Sequence, residues 1–238
     1  MRHVILFLFL SAGMSAAFAA GGDYKLDEAN IDSSDAASLQ RGSKLFVQRC
    51  LSCHAAAFMR YNRLTDIGLN ENQIREYLIF DDSVKVGDTM KNTLLASDAR
   101  VMFGVEPPDL SVISRSRGAD WLYTYLKGFY KDNTSVTGWN NVVFPNVAMP
   151  NVFWQEQGVL LLTDDPSSGD SQMAYETPGS MSTVEFDNAM RDLTNYLVFM
   201  GEPAGEKRKQ IGSLVIIFLI FFAFLAWALK REFWKDIH

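Results

Sequence analysis

Cys50-Leu51-Ser52-Cys53-His54 holds both cysteines of the 238-residue chain, three positions apart, with a histidine directly after the second. Thiols at that spacing have two chemistries. A C-x-x-C pair can cycle between dithiol and disulfide in a thioredoxin-like βαβ setting. Followed by histidine, it is instead the attachment signature for a covalently bound haem. No βαβ pattern surrounds this pair, so haem attachment is the expectation. On a helix Cys50 and Cys53 lie about one turn apart, and both sulfurs can reach the two vinyl groups along one porphyrin edge. His54, roughly 100° further round, turns its imidazole toward the iron. Of the three histidines, His3 lies in the N-terminal leader and His238 is the last residue, which leaves His54 for the body of the chain.

A second axial histidine is therefore not available from the same domain. Methionine is the next candidate, because a thioether raises the potential and gives a low-spin electron-transfer centre. Met59, Met90, Met102, Met149, Met173, Met181, Met190 and Met200 compete. Met190 and Met200 fall on the apolar face of a helix and read as core, and Met59 is too near His54 to reach the opposite face of a haem. Met149 stands out, because Pro150 biases it to extended backbone and Pro145-Asn146 precede it in a loop; a loop methionine packed in the core is the competing reading. Pro107-Pro108-Asp109-Leu110-Ser111 is a rigid segment. A carbonyl there can accept a hydrogen bond from the second imidazole nitrogen of His54 and fix its tautomer. Arg115 and Arg117 follow, and guanidinium suits haem propionates bidentately, although either arginine alone would ordinarily be solvent-exposed.

The elements that position these groups are few. Leu39, Leu45, Phe46, Cys50, Cys53 and His54 recur at helical spacing and predict a helix from about Ala37 to Met59. Ser182-Thr183-Val184-Glu185 is a capping box. It opens a helix with Val184, Phe186, Ala189, Met190, Leu193, Leu197 and Met200 on one stripe, and Gly201 and Pro203 end it. A further helix is expected over Trp121 to Phe129, and strand signals are few and short. At the N-terminus, Arg2-His3, an apolar run from Val4 to Leu10 and Ala17-Phe18-Ala19 form a signal peptide over 1–19. The alternative of an uncleaved anchor is disfavoured because that run falls short of the roughly 20 residues a span needs. Ile211 to Leu229 carries no charge and is framed by Lys207-Arg208-Lys209 and Lys230-Arg231, which predicts a transmembrane anchor over 207–232 with a cytoplasmic tail over 233–238. Residues 20–206 form one periplasmic domain. The fold expected is mainly α, a c-type haem domain with long loops plus one C-terminal transmembrane helix. The net charge of −6 argues against nucleic acid as a partner and is compatible with docking a basic protein.

In combination these residues resemble cytochrome c1, the membrane-anchored haem subunit of the bc1 complex (ubiquinol:cytochrome c reductase). The resemblance spans nearly the whole mature chain. It runs through Cys50-Leu51-Ser52-Cys53-His54, Tyr61-Asn62-Arg63-Leu64, Pro107-Pro108-Asp109-Leu110-Ser111 with Arg115 and Arg117, Asp120-Trp121, Gly128-Phe129-Tyr130, Phe144-Pro145, Ala148-Met149-Pro150, and Gly201-Glu202-Pro203 before the anchor. It implies one covalently bound haem c, Met149 as the sixth ligand and Arg117 at a propionate. It also implies a cytochrome b subunit and a Rieske iron-sulfur protein as partners, a cytochrome c acceptor, contact with membrane lipid, and a place in a dimeric complex of the inner membrane. The chain would then be an electron-transfer subunit of the reductase with no catalytic acid or base of its own. Asn151 after Met149-Pro150, Trp121 in place of a common tyrosine, and a short segment between Pro108 and Met149 depart from the pattern. A free-standing membrane-tethered cytochrome c, a haem subunit of a terminal oxidase, or an open-site haem enzyme or sensor are the alternatives.

Overall fold

The computed structural model describes residues 24–164 and 171–236, so the expected signal peptide over 1–19 lies outside the described residues. Two long helices organise the core. The first, α1 (Ala36–Leu45), is capped by Asp35, whose carboxylate accepts from Ser38 N. It continues through a π-helical turn, Phe46–Cys50, in which Leu51 N bonds back five residues to Phe46 O at 3.0 Å. The chain then breaks away from helix. Residues Ala56–Arg60 form strand β1, so the helix expected to reach Met59 ends near Cys50, and Met59 lies buried in a strand.

After a 3-10 turn, Tyr61–Ile67, come α2 (Glu71–Leu78), the short strand β2 (Thr89–Met90) and α3 (Ala96–Phe103). Helices α4 (Ile113–Arg117) and α5 (Ala119–Lys127) lead into a hairpin of β3 (Phe129–Lys131) and β4 (Trp139–Asn141). The expected third helix is thus α5, and Phe129 belongs to the hairpin. A one-turn helix, α6 (Trp154–Gln157), precedes β5 (Gly158–Asp164) and β6 (Ser171–Pro178), a longer antiparallel pair than the weak strand signals foretold. The ladders β1–β2, β3–β4 and β5–β6 are all antiparallel. The described residues therefore contain no parallel βαβ unit of the kind a thioredoxin-like thiol pair requires.

The helix opened by the capping box is α7 (Thr183–Gly201). Ser182 Oγ accepts from Glu185 N and the Glu185 carboxylate accepts from Ser182 N, as the sequence predicts. Phe186, Met190, Leu193, Leu197 and Met200 are buried on its stripe, whereas Val184, in the first turn, is exposed. Helix α7 packs across α1. Phe46 and Tyr196 meet ring to ring at 5.6 Å, Asp192 takes both Nε and Nη2 of Arg41, and Asn195 Nδ2 donates to Ser38 Oγ and Asp32 O. Gly42 permits this crossing: a Cβ there would collide with the Asp192 carbonyl and stand 2.8 Å from Tyr196 Cβ. Gly42→Ala is therefore expected to destabilise the folded domain by about 3 kcal/mol in denaturant unfolding. A loss below about 0.5 kcal/mol would show that the helices do not rely on this approach.

The last helix, α8 (Gly205–Phe233), has a stretch of mean hydropathy 2.7 and buries none of it against the rest of the chain. Its length of 29 residues corresponds to about 43 Å, more than the roughly 30 Å of hydrocarbon in a bilayer. The helix extends slightly beyond the expected anchor of 207–232. Near its start Arg208 pairs with Glu202 and Lys209 with Glu206, so polar pairs close the junction between the domain and the apolar stretch.

Candidate haem site

The π-helical turn delivers Cys50 at its end, and the chain then curls once more. Cys53 N and His54 N both bond to Cys50 O, at 3.0 and 2.8 Å. This puts the two thiols and the imidazole on successive steps of one tight turn. Cys50 is buried and Cys53 half-buried, and the two are not joined in a disulfide. Before any bond is made to it, burial and the neighbouring Cys53 push the Cys50 thiol up to about 12. The turn is anchored on two sides. Arg49 forms an ion pair with Glu156 of α6, and Asn92 Nδ2 donates to Cys53 O at 3.0 Å while Leu94 N donates to Ser52 O.

His54 Nδ1 lies 2.8 Å from Pro108 O. A carbonyl only accepts, so Nδ1 carries the proton and the lone pair of Nε2 is left free for a metal. The contact follows from how residues 107–111 run beside the motif. Leu110 N donates to Ala55 O at 2.8 Å, Ala57 N to the Asp109 carboxylate at 2.8 Å, and Phe58 N to Ser111 Oγ at 3.0 Å. Pro107 and Pro108 cannot donate, so this stretch can join neither helix nor ladder at their positions. Burial lowers the His54 pKa, and the Pro108 hydrogen bond and the Asp109 charge only partly oppose it, so the imidazole is held in the neutral form that ligates. Burial would raise Asp109, but hydrogen bonds from Ser111, Ala57 N and Ser111 N, with the nearby His54, outweigh it and hold the carboxylate below its usual range.

Met149 sits on the loop after β4, and buried amides shape that loop. Asn140 Oδ1 accepts from Asn146 N at 2.8 Å, and Asn141 Oδ1 accepts from Val143 N at 2.9 Å. Asn146 adopts φ +62°, which asparagine tolerates. Asn141 Nδ2 donates to Tyr125 O at the end of α5. On the far side, buried Asn151 accepts from Phe153 N and donates to Gln157 Oε1, whose own amide donates to Lys127 O. The loop is therefore clamped to α5 on both sides of Met149-Pro150. Asn151, read from sequence as a departure, is one jaw of that clamp.

Met149 is half-buried, and its sulfur accepts a hydrogen bond from Tyr125 Oη at 3.3 Å. Burial raises the Tyr125 pKa, so that hydroxyl keeps its proton. Among the competitors, Met59, Met90, Met190 and Met200 are sealed in the core, and Met102 is exposed on α3. Arg117 is exposed, its guanidinium 4.8 Å from the Trp121 ring and 5.7 Å from Phe144. Arg115 lies instead at the end of α7, against Gly201 and within the field of Glu202. The structure thus joins His54 to Pro108, and Arg117 through Trp121 and Tyr125 to Met149. Tyr125, Asn92 and Asn141 escaped the sequence reading; an asparagine-rich loop beside a methionine-proline pair was the signal available for Asn141.

Two thiols and an imidazole of fixed tautomer on one turn, a thioether on a clamped loop, and an unpartnered apolar helix are the parts of a membrane-anchored c-type haem protein. The chain matches the Cytochrome C1 family over residues 27–237. It is 46% identical over 238 residues to the ammonia monooxygenase gamma subunit of Nitrosomonas europaea, covering 99% of this chain and all of that one. It is 44% identical over 245 residues to cytochrome c1 of Allochromatium vinosum, covering the whole of both. In fold it resembles a chain of a hyperthermophilic respiratory Complex III, with a TM-score of 0.50 and 17% identity over all of this chain and 96% of that one. The chain belongs to the cytochrome c1 family. It is a membrane protein with one candidate span among the described residues and one covalently bound haem c, an electron-transfer subunit of a bc1 complex, the ubiquinol:cytochrome c oxidoreductase.

Proposed function

We propose that Cys50 and Cys53 would hold the haem covalently, that His54 and Met149 would ligate its iron, and that Arg117 would meet a propionate. The hydrogen bond of His54 Nδ1 to Pro108 O carries this reading, because it aims one lone pair of the only histidine among the described residues. Haem so ligated supplies one-electron exchange between iron(III) and iron(II). The protein's part is mechanical and electrostatic. Residues 107–111 keep the imidazole neutral and oriented, the clamped loop keeps the thioether at a set place, and Phe46, Met59 and Leu64 keep water from the core beneath.

In this reading the chain takes one electron from a Rieske iron-sulfur protein and passes it to a cytochrome c. No side chain serves as acid or base, and quinol oxidation belongs to a cytochrome b partner. Residues 1–19 direct export, residues 20–206 work in the periplasm, and the end of the chain beyond 232 reaches the cytoplasm. Purification of the tagged chain in mild detergent tests the assignment. The reduced-minus-oxidised spectrum should contain b-type haem alongside c-type haem, with a Rieske signal in electron paramagnetic resonance. Copurification with copper-haem oxidase subunits, or with monooxygenase subunits as the name of the N. europaea relative would have it, would overturn it.

A further inference from the structure

We infer that Tyr125 is a positioning residue that sets the electron donation of Met149, and with it the reduction potential of the haem; the inference rests on Met149 being the sixth ligand. Tyr125 Oη lies 3.3 Å from Met149 Sδ. A thioether only accepts, so the hydroxyl is the donor. The sulfur has two lone pairs. One can be given to a metal while the other accepts the O–H, so the hydrogen bond and axial ligation are compatible.

The hydroxyl is held for this task from several directions. The ring of Tyr125 stacks on Trp121 with centroids 4.9 Å apart and an 11° interplanar angle, and Phe129 meets it edge-on at 5.1 Å. Its carbonyl accepts from Asn141 Nδ2 at 2.8 Å, which ties the backbone of Tyr125 to the loop that carries Met149. Ring, hydroxyl and carbonyl are thus fixed in one frame with the sulfur. A donor on the second lone pair draws electron density away from the first, so the sulfur gives less to the metal. Weaker donation costs the oxidised iron more than the reduced iron, and the potential rises. Tyr125 adds to the high potential that a thioether ligand already confers.

Tyr125→Phe removes only the hydroxyl and leaves the stack. In the full chain purified in detergent, haem attachment and the low-spin spectrum should persist. The midpoint potential should fall, with reduction against a fixed redox buffer shifted about threefold toward the oxidised form, or about 28 mV at 59 mV per tenfold for one electron. Trp121→Phe, which disturbs the stack but keeps the hydroxyl, should move the potential less. An unchanged midpoint in Tyr125→Phe, or an equal fall in Trp121→Phe, would overturn the inference, since packing and not the hydroxyl would then be responsible. Met149→Leu separates this from the ligand assignment. If that variant stays low spin, the ligand reading itself has failed; if it turns high spin while Tyr125→Phe matches the wild type, only the role of Tyr125 has.

Discussion

Met149→Leu is expected to leave the haem covalently attached, turn it from low to high spin, and lower its potential by a sizeable fraction of the roughly 0.8 V that axial ligation can span. Leucine keeps the volume and the apolar character, so the loop should survive. Its clamps are made by Asn140, Asn141 and Asn151, and none of them uses the methionine side chain. What is lost is the sulfur lone pair. Among the described methionines, Met59, Met90, Met190 and Met200 are locked in the core, and none of these four can take its place without unfolding. Absorption spectra of both oxidation states, with a redox titration, are the measurements. A low-spin spectrum identical to the wild type would remove Met149 from the site and reopen the choice of ligand.

A second large effect is expected from replacing Cys50 and Cys53 together by alanine: complete loss of haem that survives denaturing electrophoresis, and a strong fall in accumulated protein. The structure shows why the damage should exceed the loss of a cofactor. The turn 50–54 is the hub to which residues 92–94 and 107–111 are bonded. Those segments otherwise have little core of their own, and Leu95, Val101, Met102 and Val105 between them are exposed. Attached haem gives such segments an apolar plate to pack on. Haem staining of membranes against an immunoblot of the same samples would separate the two effects. Stainable haem in the double variant would refute attachment through these cysteines.

The residues after Cys53 show where sequence reading stops. The 3.6-residue periodicity of Leu39, Phe46, Cys50 and His54 is real, yet the helix it predicts ends at Cys50. The groups of His54, Ala55, Ala57 and Phe58 are claimed by residues 108–111, more than fifty positions away. A local pattern cannot register such competition, because the partner's position is set only once the chain has folded. The capping box at Ser182 contrasts with this. Donor and acceptor there are three residues apart, and the helix begins and ends where the sequence says. The β5–β6 pair was underestimated for the same reason as the first helix was overextended, since its ladder joins two stretches that are weak strands separately.

The sequence by itself determined the kind of chemistry at Cys50-Leu51-Ser52-Cys53-His54, the apolar stretch from Ile211 to Leu229, and the family. Each of these is written in residue types at short spacing. Only the tertiary structure decided which carbonyl fixes the tautomer of His54, what clamps the loop of Met149, and that a tyrosine hydroxyl reaches its sulfur. Those facts depend on hydrogen bonds, which act only over about 3 Å. They exist only in the folded chain, where distant segments come within that reach.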